Sequence, residues 1–260
     1  MNRNKGHADG LVEEPGGKIR LFVEAALQSG VKVALNDAQT HYLIRVMRAG
    51  IGDRLLVFNG KDGEWRAEIV EAKKHSTTLL CEAQTEPQSD VPDLWLVFAP
   101  IKKTPADYVA QKATELGVRV LQPVLTHRTI ARRVNTDRLR ANAVEAAEQS
   151  GRVSVPEIRE PVSLESLLRS WPNDRRIIFC DEGGDAPPIA QALAAAKSDQ
   201  PWAVLTGPEG GFDPDERALL RSNACVVPVT LGPRIMRADT AALAALALFQ
   251  GLVGDWRRSL

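Results

Sequence analysis

Short runs of alternating apolar and polar residues fill Arg20 to Ala83, and the period changes near residue 90. "RLFVE", "VKVAL" and "STTLLCEA" carry β-branched and aromatic residues in strand-length runs. "DRLLVFNGKDGEWRAEIV" predicts two strands around an Asn59-Gly60 and Asp62-Gly63 turn. Strands this short and this close predict a small antiparallel barrel. "NDAQTHYLIRVMR" interrupts them with helical spacing, its apolar positions at Ala38, Tyr42 and Val46. The polar segment "EPQSDVPD", 86–93, holds two prolines and reads as a linker.

Beyond the linker, "LWLVFAP" is a continuous apolar run of the kind buried on both faces of a parallel sheet. Thr104 is the predicted cap of the next helix, with Pro105 at its first position, Gly117 at its end, and Val109, Ala113 and Leu116 facing inward. Then follow a strand "VRVLQPVLT", a helix from Thr136 to Gly151, a strand "RRIIFCDE", a helix over "PPIAQALAAAK", and a strand "WAVLTG". Such alternation predicts an α/β domain with a mainly parallel sheet. The organisation expected is therefore a β-rich domain followed by an α/β domain, joined near residue 90.

Composition narrows the function classes. The chain has 260 residues, 44% of them hydrophobic and 25% charged, with 33 basic and 33 acidic residues in balance. No bulk electrostatic attraction to nucleic acid or membrane follows, so a polyanion site must be a local patch. Cys81, Cys180 and Cys225 form no CxxC pair, and the 4 histidines are scattered, which argues against a disulfide framework or a metal cluster. The longest apolar run, Ala241 to Phe249, is too short to span a bilayer, and residues 1–18 read as a disordered leader. A reduced, cytoplasmic setting fits.

Candidate chemistry concentrates at two loops. "LTGPEGGFDPDE", 205–216, crowds glycines around Glu209 directly after a strand, and Asp213, Pro214 and Glu216 supply a helix cap, first-turn proline and capping box. Loops at the carboxyl ends of parallel strands are where ligands bind, and Gly210 and Gly211 permit close approach of a ligand to the backbone. A tight turn that merely needs glycine is the alternative. There is no Gly-Lys-Ser/Thr and no GxGxxG, and a central carboxylate would repel a pyrophosphate. The second stretch, "PVTLGPRIMRADTAALAALALF", 228–249, places Arg234 and Arg237 in a loop before a helix opened by Asp239 and apolar nearly all round.

Taken together, "LTGPEGGFDPDE" and "LGPRIMRADTA" resemble the paired signature of the bacterial small-subunit ribosomal RNA uridine N3-methyltransferases, a branch of the SPOUT methyltransferases. "QKATELGV" (111–118) and "AVEAAEQSGR" (143–152) resemble two further motifs of that family. "HYLIRVMRAGIGDRLLVFNGKDGEW" (41–65) resembles its PUA-like barrel. The likeness spans residues 19–253 in order, with Met236 and Asp239 where leucine and glutamate are expected. It implies a PUA-like β-barrel over 19–90 and a trefoil-knotted SPOUT domain with a parallel sheet over 91–260. It also implies S-adenosylmethionine as methyl donor, a homodimer, and 16S ribosomal RNA or the small subunit as substrate. Leu205, Thr206, Gly207, Glu209, Gly210 and Gly211 in the first loop, and Leu231, Gly232, Ile235 and Met236 in the second, match the cofactor-binding positions.

Between residues 100 and 140, Lys102, Lys103, Lys112, Arg119, Arg128, Arg132, Arg133, Arg138 and Arg140 outnumber Asp107, Glu115 and Asp137. Phosphate contacts are expected from Lys102, Lys103, Arg128, Arg132 and Arg133. His41, Arg45 and Arg48 recur at helical spacing without an intervening acid, which fits either a phosphate contact or a plain exposed face. For catalysis, Arg237 is the candidate to stabilise an imide anion at uridine N3, while Gln149 and Arg152 are candidates to hold the base or its phosphate. The rival reading is a non-catalytic ribosome-assembly factor that binds RNA through its barrel and basic loop.

Overall fold

Leu94–Phe98 buries all five of its residues in the structure, a computed structural model that describes residues 11, 13–14, 17–101, 106–131, 133–183, 185–197 and 199–257. The chain divides into two compact units, one of residues up to Asp90 with Ala147–Val155, the other of Val91–Ala146 with Pro156 onward.

The first unit begins with a two-residue hairpin, β1 (Glu13–Glu14) and β2 (Gly17–Lys18). Its sheet comprises β3 (Arg20–Phe22), β4 (Lys32–Ala34), β5 (Arg54–Phe58), β6 (Glu64–Lys73) and β7 (Ser76–Glu86), in the order β3-β5-β6-β7-β4. The β3–β5 pair is parallel, which corrects the all-antiparallel expectation. A parallel pair needs a long crossover, and here that crossover carries β4 and α1 (Asp37–His41). Asn36 and Gln39 form a capping box at the start of α1.

The helix does not continue regularly. It passes into a π-turn over Tyr42–Val46, closed by Met47 N–H to the Tyr42 carbonyl at 3.0 Å. The extra residue per turn rotates the register. Leu43 is therefore fully buried, whereas Val46, expected inside, is 58% exposed. Arg48 follows with φ +57°, the one non-glycine in the left-handed region among the described residues.

In this same unit the Arg20 guanidinium joins the end of α3 (Thr136–Gln149) to the sheet. It donates to the carbonyls of Ala147 (2.7 Å), Glu148 (2.9 Å) and Arg152 (3.1 Å) and pairs with Glu64 at 2.6 Å. One buried cation thus satisfies the open carbonyls of a helix end, where positive charge is also favoured by the helix dipole.

The second unit holds β8 (Leu94–Phe98), α2 (Ala106–Glu115), β9 (Val120–Leu125), most of α3, β10 (Glu157–Ile158), β11 (Val162–Ser163), α4 (Leu164–Arg169) and β12 (Arg176–Cys180). It continues through α5 (Ile189–Ala192), β13 (Trp202–Thr206), α6 (Pro214–Ser222), β14 (Val226–Val229) and α7 (Ala238–Leu252). The sheet order is β10-β9-β8-β13-β12-β14, with β11 beside β9, and all of its pairs are parallel.

Alternate residues of β8 enter opposite cores. Leu94, Leu96 and Phe98 join α2 and α7, while Trp95 and Val97 join Leu164, Leu167 and Leu220 of α4 and α6. That is why the strand is apolar throughout. The proposed cap Thr104 and Pro105 lie outside the described residues. The helix expected over "PPIAQALAAAK" is reduced to the four residues of α5, followed by turns. Arg237, rather than Asp239, is the N-cap of α7, and Asp239 lies in its first turn. The α7 face that carries Ala242, Ala245, Leu246 and Phe249 is buried, and Leu248 is 38% exposed.

Candidate functional site

Because β12 lies between β13 and β14, the loops that leave these three strands are neighbours. They enclose a cavity of about 1040 Å³ walled by the turn after β12, the glycine loop after β13, the loop before α7, and Ile101 and Ile130. Of the sequence candidates, Gly207, Glu209, Gly211, Leu231, Gly232, Ile235, Met236 and Arg237 line it. Leu205, Thr206 and Gly210 do not: the first two are buried within β13, where Leu205 packs into the core behind.

The glycines have reasons inside the protein. Gly211 has φ +66°, and a Cβ there would collide with Oε1 of Glu182. A Cβ on Gly207 would stand 2.7 Å from the Phe212 ring, which itself packs edge-on against Phe179. Gly210 differs, because its Cβ would meet only Arg128, at an ordinary 3.5 Å. Beyond the loop, Asp213 accepts from Glu216 N–H at 2.8 Å and Glu216 accepts from Asp213 N–H at 3.2 Å, the capping box expected from the sequence.

The "THRTIARR" loop is tied to this segment. His127 N–H donates to Glu216 Oε1 at 2.8 Å, His127 Nδ1 bonds to Asp213, and Arg128 Nη1 donates to the Gly210 carbonyl at 2.9 Å. Donor atoms of His127, Asp213 and Glu216 lie close enough to hold a metal ion. Their oxygens, however, are already engaged by the cap and by His127.

Electrostatics around the β12 turn are ordered. Asp181 accepts from Arg217 Nε at 2.8 Å and Arg221 Nε at 2.7 Å, and Asp185 accepts from the same two arginines at 2.9 and 2.6 Å. Burial alone would raise the Asp181 carboxyl, but hydrogen bonds from Arg217, Gly183 N–H and Arg221 outweigh it and hold it below the usual carboxylate range. The hydrogen bond from Arg221 likewise lowers Asp185.

The remaining candidates are dispersed. Arg237 is exposed at the N-terminus of α7. Gln149, exposed, and Arg152, half-buried and bonded to Ser154 at 3.1 Å, belong to the first unit and are not part of the cavity wall. Arg45 and Arg48 are exposed in the first unit, and Arg133 is exposed in the second. Lys102, Lys103 and Arg132 lie outside the described residues.

Sequence reasoning missed Ile130, Glu182 and the joining of His127 to Asp213. A signal for Glu182 existed: "CDEGGD" places acids and two glycines at a strand's carboxyl end, just as "TGPEGG" does.

A family profile described as an RNA methyltransferase domain matches residues 87–250, and one described as an RNA methyltransferase PUA domain matches 35–80. The chain is 31% identical over 229 residues to the ribosomal RNA small subunit methyltransferase E of Rickettsia conorii, a span of 88% of this chain and 93% of that protein. It is 32% identical over 225 residues to the protein of that name from Synechocystis, covering 85% of this chain and 73% of the other. A solved ribosomal RNA small subunit methyltransferase E from Neisseria gonorrhoeae, bound to S-adenosyl methionine, superposes with a TM-score of 0.83 at 27% identity, over 92% of this chain and 99% of that one. A methyltransferase structure from Legionella pneumophila in complex with the same cofactor gives 0.81 at 28% identity, over 91% and 98%.

Proposed function

The chain belongs to the RNA methyltransferase family, as a SPOUT α/β domain preceded by a PUA-like domain, and from that premise we propose that it methylates N3 of a uridine in 16S ribosomal RNA. The methyl donor in this reading is S-adenosylmethionine. The observation that carries the reading is the cavity at the ends of β12, β13 and β14, walled by both glycine-bearing loops. Its volume, about 1040 Å³, suits a ligand of nucleoside-plus-amino-acid size. Gly207 and Gly211 make room for the Phe212 ring and the Glu182 carboxylate in its wall, and Glu182 and Glu209 give that wall the negative charge that suits a cationic ligand. When bound there, S-adenosylmethionine supplies a methyl group activated by a sulfonium.

The protein's task is to make N3 of the base a nucleophile. N3 carries a proton in the neutral ring, so negative charge develops on the imide as that proton passes to solvent water, and the imide N3 then takes the methyl as the sulfonium becomes a neutral thioether. Arg237 lines the cavity at the N-terminus of α7, where the helix dipole adds positive potential to that of the guanidinium. Two like-signed sources placed together cost stability and favour an anion, which is the charge that develops here. Gln149 and Arg152 are assigned to holding the RNA, with Arg20 fixing the backbone that carries them. Arg45, Arg48, Arg128, Arg132, Arg133, Lys102 and Lys103 are assigned to the RNA backbone. The active form is assigned as a homodimer in the compartment where ribosomes assemble.

Methyl transfer to small subunits from a strain lacking the protein, followed by mass mapping of the RNA, tests this function. The expected product is one uridine methylated at N3. Arg237→Ala should lower kcat by about 10²–10³ with cofactor affinity little changed. Cofactor and RNA binding without methyl transfer would favour the assembly-factor reading, and methylation of another atom would refute the N3 assignment.

A further inference from the structure

We infer that Glu182 binds the α-ammonium group at the methionine end of the cofactor, an assignment that rests on reading the cavity as the S-adenosylmethionine site. Glu182 is exposed on the turn after β12 and forms part of the cavity wall. Its Oε1 occupies the space that a Gly211 side chain would need, so the carboxylate lies against the backbone of the glycine loop. That placement joins two of the three loops around the cavity. The turn is pinned from behind, since Gly183 N–H donates to Asp181 at 3.1 Å and a Cβ on Gly183 would collide with the Arg217 guanidinium.

The surrounding charges are already matched. Arg217 and Arg221 are each shared between Asp181 and Asp185. Among the described residues, Glu182 makes no hydrogen bond or ion pair, although it sits beside that network in the chain. A carboxylate in a cavity wall, left out of a saturated ion-pair cluster, is a site for a cationic ligand group with N–H donors.

The cofactor has two cationic centres, and the reaction distinguishes them. The sulfonium loses its charge as the methyl leaves, so a carboxylate beside it stabilises the starting state more than the transition state and slows transfer. It would also oppose the anion that Arg237 is assigned to stabilise. The ammonium charge is unchanged by the reaction and carries three N–H donors. Binding it improves affinity at no cost to the chemical step.

Calorimetry on the wild type and Glu182→Gln with three ligands decides this. S-adenosylmethionine has both cations, S-adenosylhomocysteine only the ammonium, and 5′-methylthioadenosine neither. Glu182→Gln should weaken the first two alike, about ten- to a hundredfold, and leave the third unchanged. Weakening of S-adenosylmethionine alone would reassign the residue to the sulfonium and overturn the inference. Equal weakening of all three would make Glu182 a support for the glycine loop, and no change in any would leave it no role; either overturns it. Failure of the wild type to bind all three would instead reject the cavity as the cofactor site. Thermal melting confirms that the variant is folded.

Discussion

The imidazole of His127 is hydrogen-bonded to the carboxylate of Asp213, the residue that caps α6. With His127 N–H on Glu216 and Arg128 on the Gly210 carbonyl, this bond clasps the basic loop to the glycine loop. The hydrogen bond to Asp213, with Glu216 nearby, raises the His127 pKa. Asp213 is lowered, first by Glu216 N–H and then by His127. These are two views of one interaction. The His127 contribution is complete below its ordinary value of about 6.5 and is lost as pH rises through the raised value. The Asp213 contribution is present above about 3.9 and is lost as pH falls through the lowered value. The clasp should therefore be tightest between about 3.9 and about 6.5, weakening as pH rises through the raised His127 value or falls through the lowered Asp213 value. NMR titration of the imidazole should give a lower pKa in Asp213→Asn than in the wild type, and identical titrations would show that the bond does not form in solution.

Gly211→Val adds a branched Cβ where φ is +66° and where Glu182 already stands. The left-handed backbone alone costs a residue with a Cβ about 1–2 kcal/mol. Cofactor affinity should fall at least about tenfold while the protein stays folded. Gly210→Ala meets only an ordinary contact with Arg128 and should bind nearly as the wild type does. Calorimetry compares the two, and undiminished binding by a folded Gly211→Val defeats the prediction.

Charge reversal at Arg132 and Arg133 should weaken RNA binding and flatten its salt dependence. The slope of log K against log salt should fall by about 0.7–0.9 for each phosphate that is no longer neutralised. Arg138 is a contrast, because it is already paired with Asp107 at 2.8 Å, and Arg138→Ala should change the slope less. Arg128→Ala should alter cofactor affinity as well as RNA affinity, since its guanidinium holds the Gly210 carbonyl. Filter binding across a salt series reads all three, and an unaltered slope in the double reversal would make the loop a solvated surface.

The assigned homodimer is tested on α7 with two leucines. Leu246 is fully buried in the core of its own chain, so Leu246→Glu should unfold the protein by burying an unpaired charge rather than dissociate a dimer. Leu248 is 38% exposed, and Leu248→Glu should yield a folded monomer with little methyl transfer. Light scattering on the wild type is decisive: a mass of 28.4 kDa with full activity would exclude the dimer.

Much of the fold was legible because its causes are local. The five apolar residues of β8 require burial on both faces. The Asp213–Glu216 capping box needs only neighbours three apart. Local patterns failed at the π-turn of Tyr42–Val46, where one added residue turns Leu43 inward and Val46 outward, and at α5, where an alanine-rich run stops after four residues. Neither outcome is encoded in hydrophobic spacing alone.

The sequence by itself determined the alternation of strands and helices and the placement of glycines and candidate charges after particular strands, since backbone sterics and short-range hydrogen bonds act within a few residues. Only the tertiary structure decided which loops meet. With β12 placed between β13 and β14, Glu182 comes against Gly211, and with β8 alone between β9 and β13, His127 reaches Asp213 across a separation of 86 residues. Such pairings follow from strand order, which is set by how the whole sheet buries its two faces and not by any single segment.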